Sequence, residues 1–288
     1  MRVTIAGFLT DYKSRVLLQQ PEPGRLLPVT TSLAAGVLPA EALVHAFRAA
    51  TGLVVWPVRL VGVYFIARGG GELVLSYRCT LRGGDLQPLP DQPAAAFYDT
   101  SPPPRGLSAA HARQLDDALH HGGGPARLGR IPAAGRGLRG LFGRRESPAA
   151  GVDWGVGVML VVHDGQGQIV CERHRGGIWK PLAVDGELGE APWESAARRL
   201  AELLPRVEER AVELRLVEVE TRGIIDLVFV TPPYPKEAFA LSWGNTEMWA
   251  LDEVGVDFDQ EDAAPEAALV RAALASDATV VRLANRSL

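Results

Sequence analysis

The sequence predicts an α/β protein built from two domains related by internal duplication. The first observation behind this is repetition. A shift of 153 positions lays the N-terminal half on the C-terminal half without a gap from about Val3 to Gly52. Asp11 then falls on Asp164, Pro28 on Pro181, Gly36 on Gly189, Pro39 on Pro192 and Glu41 on Glu194. Apolar positions keep the same register: Val16, Leu17 and Leu18 overlie Ile169, Val170 and Cys171, and Phe47 overlies Leu200. A chance match would not hold one register through strand, loop and helix. The second observation is length. The 288 residues suit two domains of about 130 to 150 residues, each large enough for its own core. The expected boundaries are a first domain over 1–122, a Gly/Pro/Arg-rich linker over 123–151 and a second domain over 152–288.

Both halves run through the same elements. Strands are expected at Val3–Leu9 and Val156–Val162, each followed by a turn holding Asp11 or Asp164. Second strands follow at Arg15–Gln19 and Gln168–Glu172, aliphatic and β-branched residues set between turn formers. A loop then enters a helix. The first helix, Ala40–Ala50, ends at Thr51-Gly52, where glycine suits a left-handed cap. The second starts near Pro192 and stops at Pro205, which cannot continue a helix. Strands at Val58–Ala67 and Glu72–Leu81 flank Gly69-Gly70-Gly71 as a hairpin, with counterparts at Ala211–Glu220 and Gly223–Val230. Each half closes with a helix, Ser108–His120 and Ala263–Ala275.

The chemistry-bearing stretch is 185–204, DGELGEAPWESAARRLAELL. An acidic, glycine-bearing loop leads into a helix on which Glu194, Arg198 and Glu202 are spaced four apart and share one face. Taken alone, that spacing is an exposed ion-pair ladder worth about 0.2 to 0.5 kcal/mol per pair. Together, loop and helix resemble the box of the Nudix superfamily, hydrolases of nucleoside diphosphates linked to another group. That box runs Gly, five residues, Glu, seven residues, Arg-Glu, an aliphatic, any residue, Glu-Glu, any residue, Gly, an aliphatic. Glu190 and Arg198 fall at the required spacing, and Glu187 and Gly189 match the usual loop. Arg199 and Leu203 stand where two of the three helix glutamates belong, and Glu202 is the one that remains. In the first copy Val37 replaces the box glutamate, His45 the arginine, and Ala46, Ala49 and Ala50 all three helix glutamates. The resemblance implies two Nudix-like α/β/α sandwich domains with mixed β-sheets.

Hydrolysis of a pyrophosphate needs divalent cations, and Mg²⁺ or Mn²⁺ needs several converging oxygen ligands. The resemblance offers Glu202, Glu190 and Glu247 as candidate catalytic residues, Glu190 chiefly as the brace of the arginine. Glu247 enters because NTEMWALDEV resembles a late family motif in which an acid precedes an aromatic and Leu-Asp-Glu. Glu202 and Glu187 are the candidate metal ligands, and Arg198, Trp179 and Trp193 the candidate substrate-binding residues. The two tryptophans bracket the loop and would either stack on a nucleobase or pack in the core. Arg199 removes a ligand and adds a cation, which would repel Mg²⁺ by several kcal/mol (on the order of 4 at an intermediate dielectric). The double change Arg199→Glu with Leu203→Glu is expected to rebuild the cluster. The alanines of the first copy predict no catalytic metal there. Glu218 and Glu220 alternate with Val217 and Val219, as on the solvent face of a strand; the other reading makes them, with Asp226, substitute acids.

Charge and composition exclude some classes. A net charge of −4 does not suit general nucleic-acid binding. Cys79 and Cys171, one per domain in apolar runs, read as buried free thiols, with no disulfide framework and hence a cytoplasmic setting. No apolar run approaches the length that spans a bilayer. Arg127, Arg130, Arg136, Arg139, Arg144 and Arg145 lie in the expected linker, either a solvated coil or a basic arm for RNA, a phosphate-rich ligand or an anionic surface. Two functions follow. One is a pseudoenzyme that binds a nucleotide, a nucleotide-derived small molecule or a protein partner. The alternative is a Mg-dependent pyrophosphohydrolase acting through the C-terminal domain.

Overall fold

The computed structural model describes residues 1–132, 153–174, 179–208, 211–238, 246–250 and 264–284. These fall into two compact units, one holding Met1–Gly123 and the strand at Arg127–Ile131, the other holding Gly155–Glu220 and the described residues from Ile224 on.

The first unit runs β1 (Arg2–Leu9), β2 (Val16–Glu22), β3 (Arg25–Leu27), β4 (Val29–Ser32), α1 (Pro39–Thr51), β5 (Val54–Ile66), β6 (Glu72–Gly83), β7 (Ala94–Tyr98), α2 (Ala109–His120) and β8 (Arg127–Ile131). Its main sheet has the order β4-β1-β6-β5-β8 and is mixed: β1 lies parallel to β6 and β5 parallel to β8, while the other pairs are antiparallel. A small antiparallel sheet, β3-β2-β7, stands beside it. The two helices cover opposite faces. Ala6 and Phe8 of β1 pack in one cluster with Leu115 and Ala118 of α2. Gly7, between them, turns to Leu43 and Phe47 of α1, as strand alternation requires.

The second unit runs β9 (Gly155–Val161), β10 (Gln168–Arg173), β11 (Trp179–Ala183), α3 (Pro192–Leu203), β12 (Glu213–Val219), β13 (Ile224–Val230), β14 (Thr246–Ala250), α4 (Ala264–Leu274) and β15 (Val280–Leu283). Its sheet has the order β14-β10-β11-β9-β13-β12-β15. The segment β11-β9-β13-β12-β15 repeats the main sheet of the first unit, with the same two parallel pairs, β9 with β13 and β12 with β15. The β10–β14 pair repeats β2–β7. Two α/β/α units with mixed sheets and one strand order are the duplicated architecture that the repeat predicts.

Fine structure repeats as well. Asp11 Oδ1 accepts from the backbone N–H of Lys13 and Arg15, and Asp164 Oδ1 from Gln166 and Gln168. These are the same turn, closed by the carboxylate that made the two aspartates align. Gly36 and Gly189 both take left-handed φ, 74° and 81°. Core volume has been exchanged between strand and helix. A Cβ on Gly7 would stand 2.4 Å from the Phe47 ring and 3.0 Å from Leu43. In the second unit Leu160 takes the glycine's place, with the smaller Ala196 and Leu200 at the two helix positions, all fully buried. Such compensation keeps packing density constant.

The structure departs from the expected organisation in three places. The linker was expected to begin at residue 123, yet 127–131 forms β8, paired residue for residue with β5 from Gly62–Arg127 to Ile66–Ile131. A run of only five residues holding glycine and two arginines carries little strand pattern; its neighbour supplies the pairing. Arg127 and Arg130 are therefore strand residues, and Arg130 lies over the Phe65 ring, a cation–π contact. The other four linker arginines lie outside the described residues. Glu218 is not on a solvent face: it is 5% exposed and pairs with Arg282 across the β12–β15 register at 2.9 Å. An interior strand with partners on both sides can bury such a residue only when a cation accompanies it. Finally, β3, β4, β7, β11, β14 and β15 are short strands that their neighbours define. Both cysteines are buried and free, and burial pushes each thiol up to about 12. Among the described residues no helix is long and apolar enough to cross a membrane.

Candidate functional site

The loop before α3 is held by one arginine. Pro192 occupies the first turn, where a missing N–H costs nothing, and Glu194 reaches back to accept from the N–H of Ala191 at 2.9 Å. This is half a capping box, since Ala191 has no side chain to return the bond. One turn on, Arg198 points at the loop. Its Nε donates to Glu190 Oε1 at 3.2 Å, and its Nη2 donates to Glu190 Oε2 at 3.1 Å and to the carbonyl of Asp185 at 2.9 Å. Glu190 Oε2 also accepts from Ser195 Oγ at 2.7 Å and from the Glu187 N–H at 3.0 Å. Every contact favours the ionised carboxylate, and with the Arg198 hydrogen bond as the largest cause the Glu190 pKa falls to about 2. Glu190 and Arg198 are thus consumed in closing the 185–190 loop. Arg198, expected at the substrate, binds its own chain instead.

This brace has a pH signature. A depressed carboxylate pKa contributes stability that is present above the unfolded value, about 4.3, and is lost as pH falls toward about 2. Thermal midpoints of the wild type should drop across that window. Glu190→Gln should lower the midpoint at neutral pH and flatten the drop; an unchanged acid profile would mean the brace is not formed in solution.

The expected metal cluster is occupied by a side chain. Arg199 donates through Nη2 to Glu172 Oε1 on β10, a very close pair, and through Nη1 to Glu202 Oε2 at 2.7 Å. Its side chain is 24% exposed, as is that of Glu172. One guanidinium therefore bridges the two carboxylates on this face of α3. Leu203, at the third glutamate position, is 6% exposed and belongs to the core. Glu187 is exposed and lies 3.8 Å from Arg198. Glu247 sits on β14 opposite Cys171, whose buried cluster packs against α4. No hydrogen bond or ion pair among the described residues joins it to Arg199, which pairs with Glu172 and Glu202. Among the described residues no group of three His, Cys, Asp or Glu side chains is placed to hold a metal ion. Magnesium requires a near-octahedral set of oxygens. Two carboxylates bridged by one guanidinium do not fit it.

The remaining candidates separate. Trp179 stacks on Trp249 with centroids 5.3 Å apart and is packed against the α4 cluster, so its ring serves the core. Trp193 is half-buried in the first turn of α3. On α1 of the first unit, His45 is exposed and Ala46, Ala49 and Ala50 present no oxygen ligand. Sequence reasoning missed Glu172. It closes a predicted strand, and only the sheet brings that strand's end to the third turn of α3.

A scan against protein families and a search of curated proteins find no match for this chain. Solved structures do align. An ADP-ribose pyrophosphatase from Streptococcus suis is 18% identical, with 45% of this chain and 98% of that one covered and a TM-score of 0.37. A mutator MutT protein from Bacillus halodurans is 16% identical over 46% of this chain and 90% of its own, TM-score 0.39. A Nudix hydrolase from Nitrosomonas europaea is 15% identical over 46% and 79%, TM-score 0.39. In this chain the loop–helix unit of residues 185–203, closed by the Glu190–Arg198 brace, is the part that resembles the Nudix box.

Proposed function

We propose that this chain is a non-catalytic Nudix-like protein that works by binding a nucleotide or nucleotide-derived small molecule rather than by cleaving one. The observation that carries the reading is the position of Arg199, paired to both Glu172 and Glu202. A metal-dependent hydrolase concentrates negative charge where the cation binds. Here a guanidinium already stands between the two carboxylates, so a metal ion would have to displace it. A cation about 4 Å from the guanidinium is repelled by on the order of 4 kcal/mol per unit charge at a surface-like dielectric, and the carboxylates' attraction is already shared with the arginine. The scaffold has kept the part of the box that shapes the loop, Glu190 with Arg198, and has lost the part that holds metal. Retention of shape without ligands suits a binding protein, with Mg²⁺ and Mn²⁺ unnecessary and a cytoplasmic setting in keeping with the reduced thiols.

Calorimetric titration of the full chain with Mg²⁺ and Mn²⁺, paired with a hydrolysis screen over ADP-ribose, nucleoside triphosphates and sugar nucleotides, tests this. The expected result is no saturable metal binding at millimolar concentration and no turnover. Metal-dependent turnover abolished by Glu202→Gln would instead establish the pyrophosphohydrolase.

A further inference from the structure

The first unit carries an extension that the second lacks. β5 and β6 run for 13 and 12 residues, against 7 and 7 for their counterparts β12 and β13. The added length stands clear of the sheet. β1 pairs with β6 only as far as Leu9 and Cys79, and β8 pairs with β5 from Ile66 only back to Gly62. Among the described residues, 54–56 of β5 and 80–83 of β6 pair only with each other, as a two-stranded ribbon. Strand alternation assigns its two sides. Cys79 lies on the side of Gly7 and α1, and it is buried together with Val55. Arg78 pairs with Phe8, on the side of α2. Along that side the cover ends: Arg78, Thr80 and Arg82 are exposed, as is Trp56 opposite Thr80, at 56%. Arg59, opposite Arg78, is half-buried, and Arg82 lies over the Trp56 ring at 5.6 Å.

Two arginines directly opposite each other repel, and among the described residues none of Arg59, Arg78 and Arg82 has an acidic partner. The fold does not need this arrangement, since the second unit closes the same sheet without the ribbon. Charge along the chain agrees with an anionic partner here. Residues 1–132 hold thirteen Lys and Arg against nine Asp and Glu, so the negative balance of the whole chain comes from the remainder. Such asymmetry between halves points to a polyanion on the basic one. We propose that this ribbon face binds a single-stranded polynucleotide, a base stacking on Trp56 and phosphates meeting Arg59, Arg78 and Arg82. Stacking on an exposed aromatic between basic side chains is how unpaired strands are held without sequence preference. A second copy of this face is the wrong partner, because a two-fold contact would set arginines against arginines. An acidic protein segment matches the charge but brings no base to the indole. The site stands apart from α3 and holds whether or not the second unit hydrolyses anything.

The test is fluorescence anisotropy of labelled oligo(rU) and oligo(dT) twelve-mers with the full chain, and labelled polyglutamate as a polyanion without bases. Saturable binding of the oligonucleotides at low salt, with Kd about 100 μM or tighter and polyglutamate weaker, is the expected result. The tighter of the two oligomers tells RNA from DNA. Three phosphate contacts give a slope of log Kobs against log salt of about −2, at about −0.7 per contact on a single strand. Arg78→Gln should weaken binding and make that slope shallower by about 0.7. Trp56→Ala should weaken binding about tenfold and leave the slope unchanged, and Trp56→Phe should restore most of the loss. All three variants change exposed side chains, and their thermal midpoints check that the fold is intact. Oligonucleotide binding that Trp56→Ala and Arg78→Gln leave unchanged overturns the proposal, as does no binding at millimolar concentration. Polyglutamate bound as tightly as the oligonucleotides overturns it too, in favour of an acidic protein segment. No variant touches Arg199 or Glu202, so the hydrolysis screen and this titration fail independently.

Discussion

Replacing Arg199 by glutamate will make the stability of the second unit depend on a divalent cation. The substitution removes the guanidinium that joins Glu172 to Glu202 and sets a third carboxylate between them. Without metal, three carboxylates on one partly buried face repel, and the loss of the ion pairs adds to the cost, about 2 kcal/mol or more in total. With Mn²⁺ the same three groups become ligands, and bound metal returns stability in proportion to the logarithm of its concentration over Kd. Scanning calorimetry in EDTA and in millimolar MnCl₂ reads this directly. The variant should melt several degrees below wild type in EDTA and recover with Mn²⁺, whereas wild type should not respond. Arg199→Gln is the control: it removes the cation without adding a ligand, so its midpoint should fall less and stay insensitive to metal. An Arg199→Glu protein indifferent to Mn²⁺ would show that the face cannot be converted by charge alone, and the account of Arg199 as the occupant of the metal position would fall.

Leu203→Glu, by contrast, will destabilise the unit rather than restore a ligand. The family spacing puts a glutamate at this position, and sequence reasoning accordingly paired it with Arg199→Glu as a repair. The structure reverses that expectation. Leu203 is 6% exposed on the inner face of α3, which packs on β9 and β13. The change loses a buried leucine and buries a carboxylate with no cation beside it, on the order of 3 kcal/mol or more together. Because burial raises the pKa of such a carboxyl, it binds its proton more tightly when folded, and the deficit should shrink as pH falls and the group becomes neutral. Urea denaturation at neutral and at mildly acidic pH measures both effects. A variant as stable as wild type at neutral pH would mean that the end of α3 turns outward, and the two-site repair would again be open.

These two substitutions mark the division between what was written locally and what was assembled. The 153-residue register, the two α/β units and the loop–helix box were legible because each rests on short-range pattern: period-2 and period-3.6 apolar spacing, and turn residues such as Asp11 and Asp164 that bond their own backbone. The Glu190–Arg198 brace was implied by the family resemblance alone, which also put Arg198 at the substrate; in the structure the arginine bonds to Glu190 eight residues back. Short strands such as β8 were not legible, because an arginine-rich five-residue segment becomes a strand only when β5 lies beside it. Nor was the fate of the damaged box. Whether Arg199 would be a free repulsive charge or a paired one depended on Glu172, 27 residues away. Whether position 203 faced metal or core depended on which side of α3 the sheet covers. Sequence determined the scaffold because secondary structure and turns are set by neighbours along the chain; tertiary structure decided the chemistry because charge pairing and burial are set by neighbours in space.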